Sequence, residues 1–191
     1  MGRVINTGRV VSGSLRKRVF KTPGTDSTRP TSDIIKGAVF NSLLHRFYID
    51  FSKTLVIDLF AGSGALGIEA ISAGCQNVIF IDSDMTAAKC IRENLQSLNI
   101  QDFGKVIIKK SEIISEKSLQ KSAEKFEKVL IFMDPPYAEK RLLVSEILKM
   151  KKIFEEKDLL IVVESDEDQF LERFEIEHKL KHGETIVSFI I

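Results

Sequence analysis

Leu55-Val56-Ile57-Asp58-Leu59-Phe60-Ala61-Gly62-Ser63-Gly64-Ala65-Leu66-Gly67-Ile68-Glu69 is the stretch whose reading decides the fold. An apolar run carrying one acid crosses a glycine-rich turn and resumes at helical spacing from Ala65. The pattern predicts strand, tight turn, helix. Glycines let the backbone take positive φ and come close to a ligand, and the helix start behind them offers unpaired N–H groups. A nucleotide-like ligand is therefore expected at this turn.

Two cofactors compete for it. Gly62-x-Gly64-x-x-Gly67 satisfies the dinucleotide fingerprint, and Asp82 ends the next apolar run about 20 residues on. Asp58, four residues before Gly62, weighs the other way. An acid there repels a pyrophosphate, whereas S-adenosylmethionine has no phosphate and carries a sulfonium and an ammonium. Asp82 accepts ribose hydroxyls under either reading and does not discriminate. A glycine-rich connection that binds nothing is the plain structural alternative.

The 191 residues suit one domain with a small appendage, and 43% hydrophobic with 29% charged residues is ordinary for a soluble globular protein. Cys75 and Cys90 lack metal-type spacing, and there is neither a secretory segment nor a long apolar span. A reduced cytoplasmic protein, off the membrane and without a metal, is the expectation. The net charge of +1 conceals an asymmetry: residues 1–50 sum to +6 and the remainder to −5. Such a split suits a basic nucleic-acid-binding element on an acidic catalytic body, or a solvated basic face.

Along residues 1–21, Arg3-Val4-Ile5, Arg9-Val10-Val11 and Arg18-Val19-Phe20 alternate with Asn6-Thr7-Gly8 and Ser12-Gly13-Ser14. A hairpin or small meander with projecting arginines is predicted, a shape able to grip an RNA backbone. Thr31 or Ser32 caps a helix with Ile34, Ile35, Ala38, Val39, Phe40, Leu43 and Leu44 apolar and Lys36 and Arg46 on its wet side. Strands are then expected at 55–59, 78–82, 106–109, 129–133 and 159–164, with helices at 65–73, 86–98, 115–128 and 141–149. Residues 174–180 and 185–191 flank His182-Gly183-Glu184 as a terminal antiparallel hairpin. Alternating strands and helices imply parallel pairing with ligands at the carboxyl ends, where Asp58, Asp82 and Asp134 fall.

Asp134-Pro135-Pro136-Tyr137 follows the fourth strand of this series. An exocyclic ring amine is a poor nucleophile because its lone pair is delocalised, and two acceptors on its N–H bonds free that lone pair. Asp134 supplies a carboxylate. Prolines lack an N–H, so the Pro135 carbonyl is the second acceptor. Tyr137 can stack on the base. A proline-rich turn with a half-buried tyrosine is the bland alternative.

These motifs resemble the RsmD family of small-subunit ribosomal RNA guanine-N2 methyltransferases over nearly the whole chain. The resemblance is carried by Arg3-Val4-Ile5 with Gly8, Thr28-Arg29-Pro30-Thr31-Ser32-Asp33, Phe40-Asn41, the run from Asp58 to Ala70, Asp134-Pro135-Pro136-Tyr137, Glu164-Ser165 and Gly183-Glu184-Thr185. It implies a class I methyltransferase fold, Rossmann-like and mostly parallel with seven strands, S-adenosylmethionine as donor, and a guanine of 16S ribosomal RNA in an assembled or assembling small subunit as acceptor. Residues 1–30 would form a basic RNA-contacting hairpin and 31–191 the catalytic domain, acting as a monomer. Asp58, Phe60, Gly62, Gly64 and Asp82 would hold the donor, and Asp134, Pro135 and Tyr137 the amine. Arg3, Arg9, Arg16, Lys17, Arg18 and Lys21 would contact phosphates, while Arg29 would position RNA or close the donor site. Ser111 stands where such enzymes often place Asp or Asn near the adenine amine. The rivals are a DNA amino-methyltransferase, a nicotinamide-dependent oxidoreductase and a non-catalytic assembly factor.

Overall fold

The computed structural model describes residues 7–23, 32–135 and 142–191. It opens with an antiparallel hairpin, β1 (Thr7–Arg9) and β2 (Val19–Lys21). There follow α1 (Asp33–His45), β3 (Thr54–Leu59), α2 (Ala65–Ser72), β4 (Val78–Asp82), α3 (Met85–Ser97), β5 (Gly104–Ile108) and α4 (Glu116–Ala123). Then come β6 (Lys128–Met133), α5 (Leu143–Ile153), β7 (Asp158–Ser165) and the closing pair β8 (Ile176–His182) and β9 (Thr185–Ile190).

Strands β3 to β9 form one sheet in the order β5-β4-β3-β6-β7-β9-β8. The first five are parallel because helices cross between them, and β9 and β8 close the edge antiparallel. This is the mostly parallel, seven-stranded architecture that the resemblance implies. The chain winds outward from β3 in both directions, so the order reverses there and leaves a cleft beyond its carboxyl end. β3 is buried at all six positions, as expected of a central strand covered on both faces. One apolar layer, with Phe40, Phe80 and Phe132, lies under α1 to α3; the other, with Ile57, Ile131 and Met150, lies under α4 and α5.

Local differences from the sequence expectations have packing causes. β5 begins at Gly104, two residues early, because Gly104 pairs with Val78. A side chain there would come within 2.9 Å of both Leu95 and Phe80. α4 stops at Ala123 rather than running to Lys128, since Lys128 already pairs with Thr54 and Asp158. In α1 the Ser32 hydroxyl accepts the Ile35 N–H at 3.2 Å, the expected cap. Lys36, expected on the wet side, is instead 2% exposed, while Ile34 is 64% exposed.

Lys36 is buried because the hairpin folds over it. Val10 and Phe20 belong to the core, so the hairpin is docked on the domain. β1 ends at Arg9, and residues 10–18 form a turn-rich connection in place of a strand at Val10-Val11. Gly13 takes φ +74°, and a Cβ there would stand 1.9 Å from the Ser72 carbonyl oxygen, so only glycine lets this connection settle on α2. The Ser14 N–H then donates to that carbonyl at 2.8 Å and the Leu15 N–H to the Ser72 hydroxyl at 3.0 Å.

Candidate active site

The last paired row across the centre of the sheet is Ile81, Leu59 and Met133. One residue further stand Asp82, Phe60 and Asp134, with the Phe60 N–H still held by the Ile81 carbonyl at 3.0 Å. Parallel pairing therefore brings two acids 52 positions apart in sequence to the same edge of the sheet, on either side of β3.

The glycine turn rises from that edge. Gly62 and Gly64 have φ of +54° and +79°, a conformation that side chains disfavour. A Cβ on Gly62 would find nothing nearer than 4.0 Å, so the turn is open on that side. Gly67 serves packing: a Cβ would lie 2.2 Å from the Phe80 ring. The Asp82 carboxylate holds the turn from the neighbouring strand. Its Oδ2 accepts the Gly62 N–H at 2.8 Å and its Oδ1 the Asp84 N–H at 2.8 Å. Each oxygen retains a lone pair for a hydroxyl.

Asp58 sits below the turn, 3% exposed, and accepts the Gly67 N–H at 2.9 Å in the first turn of α2. Burial pushes its carboxyl up to about 7, with the Gly67 N–H opposing the shift and the Asp82 charge adding to it. The acid is thus a strut for the helix start as well as a candidate partner for a cation. Asp134 is half-buried and Pro135 buried. Ser111, beyond β5, is 4% exposed, with its hydroxyl 3.5 Å from Glu112 Oε2. Arg3, Arg29 and Tyr137 lie outside the described residues.

Arg9, Arg16, Lys17, Arg18 and Lys21 are all exposed on the hairpin. Lys21 pairs with Glu93 at 2.8 Å at the surface. Three residues to which the sequence reading assigned no part tie this hairpin to the site. Asn94, in the last turn of α3, accepts the Lys21 N–H at 2.8 Å and donates to the Lys21 carbonyl at 2.9 Å. Its amide also donates to the Ser63 carbonyl of the glycine turn at 3.1 Å. Glu69, fully buried on α2, accepts the Val11 N–H at 2.7 Å and the Ser12 N–H at 3.3 Å, with Lys36 Nζ at 3.5 Å. Lys36 also reaches the Arg9 carbonyl. The one acid within Leu66 to Ile71 was the available signal for Glu69; nothing in the sequence distinguished Asn94.

Residues 8–191 match the model of the family described as Conserved hypothetical protein 95. A Bacillus subtilis protein assigned as an rRNA methyltransferase, YlbH, is 37% identical over 161 residues, covering 84% of this chain and 83% of that protein. Ribosomal RNA small subunit methyltransferase D of Haemophilus influenzae is 35% identical over 129 residues, covering 68% of this chain and 63% of that protein. An RNA methyltransferase from Salinibacter ruber, solved in complex with S-adenosyl-L-homocysteine, matches with a TM-score of 0.56 and 16% identity over 85% of this chain and 92% of that one, a likeness of fold. The fold is that of the class I methyltransferases, and the chain belongs to the Conserved hypothetical protein 95 family, the RsmD family whose motifs it carries.

Proposed function

We propose that the protein transfers a methyl group from S-adenosylmethionine to the exocyclic N2 amine of a guanine in 16S ribosomal RNA, within the small subunit and in the cytoplasm. The observation that carries this reading is the shared edge of Asp82, the open glycine turn and Asp134, combined with family membership. S-adenosylmethionine supplies an electrophilic methyl on a sulfonium. Asp82 holds the ribose hydroxyls, Gly62 and Gly64 let the backbone approach closely, Phe60 lines the site, and Asp58 faces the cationic end. Asp134 and the Pro135 carbonyl grip the two N–H bonds of the amine, and Tyr137 stacks on an unstacked base. Asp134 then accepts the proton released as the new C–N bond forms. The amino-terminal element of residues 1–30, with Arg3, Arg9, Arg16, Lys17, Arg18 and Lys21, grips phosphates, and Arg29 positions RNA or closes the donor site of a catalytic domain of residues 31–191.

The testing experiment is tritium transfer from labelled S-adenosylmethionine to unmodified small subunits, with naked 16S RNA and duplex DNA as comparisons. Label recovered as N2-methylguanosine after nuclease digestion is the expected result. Label in DNA alone would displace the substrate, and donor binding without transfer would leave a non-catalytic assembly factor.

Neutralising Arg16, Lys17 and Arg18 together is expected to lower the slope of log affinity against log salt by about 3, one for each phosphate that no longer meets a cation. An unchanged slope in filter binding would remove the hairpin from the RNA interface.

The donor site has a pH signature. Asp58 is protonated in the fold below about 7, so affinity for the cationic donor should rise as pH climbs through that value. It should fall again as the donor's ammonium titrates at about 8. Asp58→Asn removes the acidic limb in calorimetry; a limb that survives the substitution belongs to another group. In the donor-free protein the raised pKa means that ionising Asp58 costs stability as pH rises from its unfolded value of 3.8 towards 7. The asparagine variant should therefore lose less stability over that window.

A further inference from the structure

α3 buries an amide on its apolar face. Ala87, Ala88, Ile91 and Leu95 form that face, and Asn94 lies among them, 0% exposed. Burying an amide costs free energy unless its hydrogen bonds are made, and here three of them go to main chain. The bonds to the Lys21 N–H and carbonyl copy the pair that a neighbouring strand residue would exchange, so one side chain closes the free edge of β2 at Lys21. The Cys90 thiol adds a weak donor to the same carbonyl at 3.4 Å.

The third bond reaches the glycine turn. The peptide joining Ser63 to Gly64 is held at both ends, its carbonyl by Asn94 at 3.1 Å and its N–H by the Ala61 carbonyl at 2.7 Å. Gly64 follows at φ +79° and opens α2. Rotating this peptide would re-aim the backbone of the turn, so the clamp fixes the surface that a donor meets. Where Lys21 moves away from α3, Asn94 loses two of these three bonds and the clamp loosens. Lys21 also carries one of the hairpin's exposed cations, paired with Glu93 next to Asn94. The residue whose charge can meet a phosphate is thus the one whose main chain Asn94 holds.

We propose that Asn94 is a positioning residue that makes donor affinity depend on RNA at the hairpin. Phosphates seated on the basic face keep β2 against α3, and the amide held there keeps the peptide before Gly64 set for the donor. This rests on the methyl-transfer reading above and adds a coupling between its two substrates. Such coupling is reciprocal, so the donor tightens RNA binding by the same factor. Its sign is positive, because the ordering that the first ligand imposes is no longer required of the second.

Equilibrium dialysis of labelled S-adenosylhomocysteine against the full chain, with and without saturating unmodified small subunits, tests it. Wild type should bind S-adenosylhomocysteine about 5- to 20-fold more tightly with subunits present, within the usual span of coupling between sites. Asn94→Ala should bring that ratio to within about twofold of unity. A second pair of variants leaves Asn94 in place: Lys21→Ala and Lys21→Pro both remove the ammonium, and only proline removes the N–H that Asn94 accepts. The ratio should persist in the first and fall in the second. A purely structural role would lower the melting temperature and both affinities together, leaving the ratio unchanged. A wild-type ratio of one, a ratio undiminished in Asn94→Ala or in Lys21→Pro, or an equal fall in both Lys21 variants overturns the coupling while the methyl-transfer reading stands. Failure of the wild-type protein to bind S-adenosylhomocysteine, or to bind the subunits, overturns that reading and the coupling together.

Discussion

Replacing Asp134 by alanine is expected to lower turnover by roughly 10²- to 10⁴-fold, the range for a positioned proton acceptor, and to leave donor affinity within about twofold. The rate loss corresponds to about 3–5 kcal/mol of transition-state stabilisation. The loss should be specific to the transfer step, because in the proposed reaction the carboxylate acts on the amine. In the ground state the nitrogen lone pair belongs to the ring, and only as the C–N bond forms does the nitrogen acquire a charge that an adjacent carboxylate stabilises. The proposed donor site lies elsewhere on the same edge, at the turn that Asp82 braces through the Gly62 N–H. Single-turnover tritium transfer gives the chemical step and calorimetry with S-adenosylhomocysteine the affinity. If affinity falls in proportion to rate, Asp134 belongs to the donor site and its assignment to the amine fails.

The second large effect is on stability. Glu69→Ala is expected to destabilise the protein by about 3–5 kcal/mol, the cost of breaking a buried pair from one side. The carboxylate takes the Val11 and Ser12 N–H groups and faces Lys36, itself 2% exposed. Without it two hairpin N–H groups lose their acceptor, and Lys36 keeps the Arg9 carbonyl, Asp33 at 3.1 Å and the face of the Phe20 ring at 5.3 Å. For a chain of this size the melting temperature should fall by roughly 6–20 °C. Glu69→Ala combined with Lys36→Met should recover part of the loss, because the stranded charge goes too. A single variant melting within a degree of wild type would mean that the apolar contacts of Val10 and Phe20 dock the hairpin by themselves. RNA affinity gives a second readout, since a loosened hairpin presents Arg16, Lys17 and Arg18 less well.

This docking ties the hairpin to the glycine turn. Asn94 holds Lys21 of β2 on one side and the Ser63 carbonyl of the glycine turn on the other. In the proposed reading, an RNA backbone seated on the basic hairpin would bear, through one buried amide, on the loop proposed to receive the donor.

Much of this was legible in the chain itself. Strand–turn–helix around Gly62 and Gly64, the parallel alternation, the three acids at carboxyl ends and the Asp134-Pro135 motif follow from hydrophobic period and from φ restrictions, which act over a few residues. Burial of Lys36, Glu69, Asn94 and Glu146 depended on what covers them. Val11 is 58 positions from Glu69 and Lys21 is 73 from Asn94, distances at which no periodic pattern carries information. Glu146 showed a trace, an acid on an apolar stripe, yet only the fold reveals that it lies beside Ser111 with one oxygen unpaired among the described residues. By itself the sequence determined which elements form and which residue types end each strand, because local sterics and side-chain period decide both. Tertiary structure alone decided which helix faces a distant segment would close over, because burial of a polar group depends on hydrogen-bond partners brought together only when the chain is packed.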